Sequence, residues 1–152
     1  MTVDQVREAL LRCAQAVLEE SAFTFAEPAP TPPEEGDWPG RVVRAELSFN
    51  GIVDGRFVIV APAQLCRELA ADMLGELEME EDQDEVLGEV LNMMAGMTLE
   101  QVLGAQEWDL GVPEIASTDG AGWTTNSQPW GPIHLVTEAL EPVDVGVRLE
   151  VA

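Results

Sequence analysis

Residues 82–104 constrain the fold most strongly, because their apolar side chains recur with the period of an α-helix. At about 100° per residue, the apolar positions share one broad face of this helix. They are Val86, Leu87, Val90, Leu91, Met93, Met94 and Met97. We predict that this face is buried. The opposite side is a wedge of roughly 60°, which we expect to face solvent. It holds Glu85, Glu89, Asn92 and Gly96.

Three poor helix formers, Gly88, Asn92 and Gly96, interrupt this predicted helix without any turn to explain them. In a helix interior Gly costs about 1 kcal/mol and Asn about 0.6 kcal/mol relative to Ala. We interpret Gly88 as a site of close packing and Gly96 as a low surface that another molecule can approach. Asn92 would present a carboxamide there, and Glu89 a carboxylate one turn earlier. The alternative is a solvated helix face without a function.

The composition indicates one globular domain over residues 1–152. The chain is 46% hydrophobic and long enough to bury a core. No run approaches the roughly 18 apolar residues of a membrane span. The N-terminal sequence MTVDQVREALL lacks the basic-then-apolar layout of a secretion signal. We therefore expect a cytoplasmic protein that does not bind membranes.

Charge restricts the partners that the chain can bind. Seven basic residues stand against 29 acidic ones, for a net charge of −22. Such a surface repels nucleic acid and anionic lipid, so we expect neither as a partner. A partner must bring positive charge, or must neutralise its own phosphate. The alternative is that the charge serves solubility alone.

The cysteines and the single histidine do not form a recognisable catalytic or metal-binding motif. Cys13 and Cys66 lie in apolar helical patterns, which favours free buried thiols. No CxxC spacing is present and His134 is the sole histidine, so no metal site is predicted. Neither cysteine begins a CxxxxxR phosphate loop, which disfavours a cysteine-dependent phosphatase.

Periodicity also predicts the other elements. We expect helices over residues 2–20 and from Pro62 to about Leu74. Residues 27–40 are rich in Pro, Glu and Gly, and we predict an exposed loop that Trp38 holds to the body. An extended segment over residues 108–117 and a loop over 118–132, with Trp123 and Trp130, complete the chain.

Period-two alternation and turn residues predict the strands. They cover residues 22–26, 41–53, 56–61, 133–140 and 143–151. Gly51 marks an expected bulge, and Asp54-Gly55 an expected hairpin turn. Together the elements indicate an α/β domain of the α+β type: a mainly antiparallel sheet with long helices packed on it.

The sequence Glu89-Val90-Leu91-Asn92, followed by Met93-Met94-Ala95-Gly96, resembles the ExxN motif of the CheC/CheX/FliY family of chemotaxis phosphatases. Pro113 stands about where the family pattern has a proline, and the segments at residues 50–55 and 73–75 match in kind and order. Glu85 departs from the Asp or Ser that is usual there. The chain has no second ExxN, which favours the single-site CheX pattern.

The resemblance implies a phosphatase that hydrolyses the aspartyl phosphate of a CheY-type response regulator. It assigns the water-positioning role to Asn92 and contact with the regulator's lysine to Glu89. Glu85 would support the site, and Gly96, Leu99 and Leu103 would contact the partner. The chain itself would bind no cofactor, because magnesium would come from the phosphorylated regulator. The resemblance also implies a homodimer.

Two alternatives remain open. The first is a non-catalytic module of the same fold that binds a response regulator or a flagellar-switch component. The departure at Glu85 and the single site leave room for it. The second is a structural dimerisation domain without any regulator partner.

Overall fold

The computed structural model describes residues 2–34, 37–120 and 130–150. Within these ranges, three helices and seven strands follow one another along the chain. Their bounds are α1 Val3–Ala22, β1 Ala26–Pro28, β2 Arg41–Asn50, β3 Asp54–Pro62, α2 Ala63–Leu74, α3 Glu80–Leu103, β4 Asp109–Leu110, β5 Glu114–Asp119, β6 Ile133–Thr137 and β7 Pro142–Glu150.

The strands form one antiparallel sheet in the order β1, β6, β7, β3, β2, β4, and β5 also pairs with β2. Alternate residues of β2 face the helices and enter the main hydrophobic core. These are Val43, Ala45, Leu47 and Phe49. The same core contains residues from all three helices. The predicted architecture, a mainly antiparallel sheet with long helices packed on it, is confirmed.

The predicted strand over residues 22–26 is wrong. Helix α1 begins at the N-cap Thr2, whose side chain forms a capping box with Gln5, and continues to Ala22. Phe23 then adopts a left-handed conformation (φ 53°), and its backbone N–H donates to the last carbonyls of the helix. The two phenylalanines whose alternation suggested a strand, Phe23 and Phe25, are both exposed. The strand that follows starts only at Ala26.

The predicted hairpin turn at Asp54-Gly55 is also wrong, because both residues already belong to β3. The turn lies at residues 51–53, and the Gly51 N–H donates to Asp54 Oδ1. Gly55 is required for packing rather than for turning. A Cβ there would lie 2.5 Å from the Arg148 carbonyl oxygen and 2.6 Å from Phe49 Cζ.

The second face of the sheet carries a small cluster of its own, made of Trp38, Trp130, Val42, Val58 and Val60. Trp38 is buried, so its predicted role in holding the loop over residues 27–40 is confirmed, although the first two residues of that loop belong to β1. Trp130 is buried too. Trp123 lies outside the described residues, and the predicted 118–132 loop begins with the last two residues of β5.

Candidate functional site

Helix α3 has the two faces that the periodicity predicts. Its buried apolar residues are Val86, Leu87, Val90, Leu91 and Met94, while Met93 and Met97 are half-buried. Glu85, Glu89 and Asn92 are exposed to solvent, and Gly96 is half-buried. The carboxylates and the carboxamide therefore share one accessible side of a helix whose other side is part of the core.

One row of α3 passes from the buried side to the exposed side. The row takes every fourth residue: Asp84, Gly88, Asn92 and Gly96. Each step advances about 40° around the helix and about 6 Å along it. Asp84 and Gly88 are buried, whereas Asn92 is exposed. Asn92 is thus the one side chain on the accessible half of this row, with a glycine one turn before it and another one turn after it.

The buried end of the row is fixed by an ion pair between α3 and β2. Arg41 Nη1 lies 2.5 Å from Asp84 Oδ2, and Arg41 Nη2 lies 3.1 Å from Asp84 Oδ1. Hydrogen bonding to Asp84 is the main cause that raises the pKa of the Arg41 guanidinium. A bidentate pair fixes direction as well as distance, so it contributes, with the buried apolar face of α3, to the rotation of the helix relative to the sheet.

Gly88 allows a close approach of the chain between β4 and β5, as predicted. A Cβ on Gly88 would lie 3.0 Å from Pro113 Cβ and 3.1 Å from Ile115 Cδ1. At Gly96 the space is larger, because a Cβ would meet only Leu110 Cδ1, at 3.8 Å. A side chain at Gly88 would therefore be in tight contact with its neighbours, whereas one at Gly96 would not. Packing within the chain explains the first glycine and leaves the second unexplained.

Glu89 and Asn92 are available for an outside partner. Among the residues that the structure describes, neither side chain forms a hydrogen bond or an ion pair with the rest of the chain. Glu85 is exposed one turn before Glu89 and lines a groove of about 450 Å³ between α3 and β5. The groove continues along Pro113 and Ile115. The site is therefore an open acidic surface that presents one neutral carboxamide.

The predicted partner contacts at Leu99 and Leu103 are wrong, because these side chains are 1% and 6% exposed and belong to the main core. Their angular positions lie close to the exposed wedge, but at the C-terminal end of α3 the exposed residues lie on another side of the helix, at Glu100 and Gln101. A helical wheel carries no information on which turns are covered by the rest of the fold. Leu99 and Leu103 stabilise the core instead.

Over the described ranges, no group of three or more His, Cys, Asp or Glu side chains is arranged to hold a metal ion. In the same ranges, no helix is long and apolar enough to cross a membrane. His134 Nδ1 lies 2.8 Å from the buried Asp144 Oδ1 on the sheet face away from α3. This histidine is a structural partner of Asp144 and lies apart from the exposed wedge.

The fold is similar to that of chemotaxis proteins of known structure. CheX from Vibrio vulnificus is 21% identical with a TM-score of 0.71, and the match covers 95% of this chain and 96% of that one. CheX from Desulfovibrio desulfuricans is 18% identical with a TM-score of 0.71 and coverage of 95% and 99%. The CheX–CheY–BeF3–Mg2+ complex from Borrelia burgdorferi is 15% identical with a TM-score of 0.68. The match covers 99% of this chain and 100% of that one.

The family model for the chemotaxis phosphatase CheX matches residues 43–130, which is more than half of the chain. The protein therefore belongs to the CheX family. No curated protein matches the sequence significantly. The matched range contains α3, with the Asp84 that pairs with Arg41, and the segment that packs on Gly88.

Proposed function

We propose that this protein accelerates the hydrolysis of the aspartyl phosphate of a CheY-type response regulator, with Asn92 positioning the attacking water. The observation that carries the proposal is the exposed carboxamide of Asn92 between two glycines on a row that Arg41 and Pro113 hold in place. A large partner has room to approach a residue placed in this way.

The chemistry of phosphoryl transfer suits a carboxamide. The transferred group passes through a loose transition state, so catalysis depends mainly on positioning and on charge. The Asn92 side chain can donate one hydrogen bond and accept another, which orients a water molecule in line with the bond that breaks. A carboxamide is neutral and so does not repel the phosphoryl oxygens, as a carboxylate would.

Glu89 supplies the contact with the cationic part of the partner. Its carboxylate lies one turn from Asn92, and a desolvated charge-assisted hydrogen bond to a lysine would contribute about 1.5–3 kcal/mol. The lysine and the magnesium ion would both belong to the regulator. The Borrelia structure supports this type of partner, because it contains CheX together with CheY, BeF3 and Mg2+.

The direct test is the decay of a radiolabelled aspartyl-phosphate regulator with and without the protein. Wild type should shorten the phosphoryl lifetime, and Asn92→Ala should reduce the acceleration by at least about 100-fold, as expected when a positioned polar group is lost. Gln101→Ala is a matched control, because Gln101 is another exposed carboxamide of α3 that lies outside the wedge. Equal acceleration by wild type and Asn92→Ala would contradict the proposed role.

A second candidate, a non-catalytic module that binds the regulator, is favoured by one observation. Glu85 places a second exposed carboxylate one turn from Glu89, where like charges disfavour each other by a few tenths of a kcal/mol. If wild type binds the phosphorylated regulator but does not shorten its phosphoryl lifetime, the binding module is the correct function. Under that outcome Asn92→Ala should bind as wild type does.

A further inference from the structure

The short link between β4 and β5, residues 111–113, is held rigidly on both sides of Val112. The Gly111 N–H donates to the Ser48 carbonyl oxygen at 2.7 Å, and a Cβ on Gly111 would lie 2.8 Å from Ser48 Oγ. Pro113 on the other side packs against Gly88. The backbone at Val112 is therefore fixed by packing of its neighbours and not by its own side chain.

The same contacts place the link beside the exposed wedge. Leu110 lies next to Gly96 and Pro113 lies next to Gly88, so the link runs antiparallel to α3 along the segment between the two glycines. That segment is eight residues, or about 12 Å, long. Asn92 is at its midpoint. Val112 lies between Leu110 and Pro113, and so flanks the turn of α3 that carries Asn92.

Val112 is 84% exposed, more than any other large apolar residue in the described part of the chain. It stands at the edge of a surface whose other accessible side chains include the carboxylates of Glu85 and Glu89. A valine whose backbone is fixed and whose side chain is left in water contributes little to folding through that side chain. It loses little conformational entropy when a partner covers it, which makes it an efficient contact residue.

We propose that Val112 determines affinity for the response regulator by packing against an apolar patch beside the phosphorylated site. This inference rests on the proposed function, since it names a contact of the same site. The exposed carboxylates and Val112 define the occupant: a protein surface with a cationic group opposite Glu89 and apolar side chains opposite Val112. Val112 thus takes the role of apolar contact that the sequence had suggested for Leu99 and Leu103.

The test is the dependence of phosphoryl decay on regulator concentration, with a CheY-type regulator from the same genome phosphorylated in vitro. Val112→Asp should raise KM by about tenfold or more, because a desolvated apolar contact is lost and a charge replaces it, while kcat stays near the wild-type value. Val112→Ile keeps the apolar contact and should retain wild-type KM. Leu140→Asp is the matched control, because Leu140 is 82% exposed in the turn between β6 and β7, towards the other edge of the sheet.

The outcomes separate this inference from the function on which it rests. If wild type accelerates decay and Val112→Asp has an unchanged KM, the inference is overturned and the phosphatase stands. If wild type binds the regulator without accelerating decay, Kd replaces KM: weaker binding by Val112→Asp supports the contact, and equal binding overturns it. If wild type neither binds nor accelerates, both proposals are overturned. Unchanged Tm values show that the variants are folded. If the Tm of Val112→Asp is lower than that of wild type, Val112→Ser is used in its place.

Discussion

At the scale of single residues, a substitution at Gly96 should affect stability and activity in opposite directions. A methyl group at this position would meet only Leu110 Cδ1 at 3.8 Å, which is ordinary van der Waals contact. Since Ala is the better helix former, Gly96→Ala should raise the free energy of unfolding by about 0.5–1 kcal/mol in denaturant titration. The same methyl group beside Asn92 should lower kcat/KM for phosphoryl decay, because it raises the surface that the regulator approaches.

Gly88→Ala is the control for this prediction. Its new Cβ would lie 3.0 Å from Pro113 Cβ and 3.1 Å from Ile115 Cδ1, so the substitution should destabilise the fold by about 1–3 kcal/mol. If Gly96→Ala is more stable than wild type and equally active, then the partner does not approach this part of the helix closely. A destabilised Gly96→Ala would contradict the packing described above.

Cys66 gives a second prediction at the residue scale. Burial in the core is the main cause that raises the pKa of the Cys66 thiol to about 12. The thiolate is thus disfavoured in the folded state, and Cys66 should contribute a loss of stability as the pH rises above the ordinary thiol value towards 12. Near pH 8.5 iodoacetamide should not modify Cys66 in the native protein. Denatured protein should be modified at both cysteines.

Mass spectrometry of the native and denatured samples measures this difference. Rapid modification of Cys66 in the native protein, at the rate of an unfolded thiol, would mean that α2 opens readily. Cys13 is a useful internal comparison, because it is buried in α1 and should be protected in the same way.

At the scale of elements, the sequence predicted best where a long pattern had one consistent period. Helix α3 has 24 residues, and over residues 85–97 its buried and exposed faces follow the helical period. Short segments were less predictable. Phe23 and Phe25 alternate as strand residues do, but the capping of α1 decides their conformation. Two residues of alternation carry too little information to outweigh a helix that is 20 residues long.

The sequence predicted the angular position of the site residues around α3, but not which turns of the helix the rest of the fold buries. Glu89 and Asn92 are exposed, as the helical period requires. Leu99 and Leu103 lie close to the same angle and are nevertheless buried, because exposure along a helix depends on the tertiary neighbours of each turn. Val112 could not be found from periodicity, since its place beside Asn92 depends on contacts across the fold. A lone valine between Gly111 and Pro113 was the only sequence signal.

The orientation of α3 depends on the Arg41–Asp84 pair, which gives a prediction for this element. Asp84 is 8% exposed, and Arg41→Ala removes the two guanidinium N–H groups that donate to its carboxylate. We expect a loss of about 2 kcal/mol in the free energy of unfolding. This is less than the roughly 3–5 kcal/mol for a fully buried pair, because the Arg41 side chain is 30% exposed.

Arg67→Ala is the matched control, since Arg67 is exposed on α2 and should change stability by no more than about 0.5 kcal/mol. The double variant Arg41→Ala/Asp84→Ala should be less destabilised than the sum of the two single variants, because it removes the uncompensated charge. Additive losses would show that the two side chains are not energetically coupled. Chemical denaturation of wild type, the two single variants, the double variant and Arg67→Ala measures each value.

At the scale of the whole molecule, the charge of −22 acts on stability through self-repulsion. Salt screens repulsion and attraction alike. Its effect on the free energy of unfolding is therefore positive where like-charge repulsion is the larger contribution, and negative where ion pairs are. The chain has only seven basic residues, and three of those on the sheet already have acidic partners: Arg44 and Arg56 pair with Glu46, and Arg41 pairs with Asp84. Most carboxylates therefore have no positive neighbour available, and repulsion dominates the balance.

Raising the ionic strength from about 0.01 M to about 0.3 M shortens the Debye length from about 30 Å to less than 10 Å. We expect the free energy of unfolding to rise by about 1 kcal/mol, and Tm by about 2–4 °C for a chain of this size. Thermal unfolding in NaCl, repeated in KCl to remove ion-specific effects, measures the change. A fall in Tm would mean that the arginine pairs outweigh the repulsion, and Arg56→Ala should then abolish part of the salt effect.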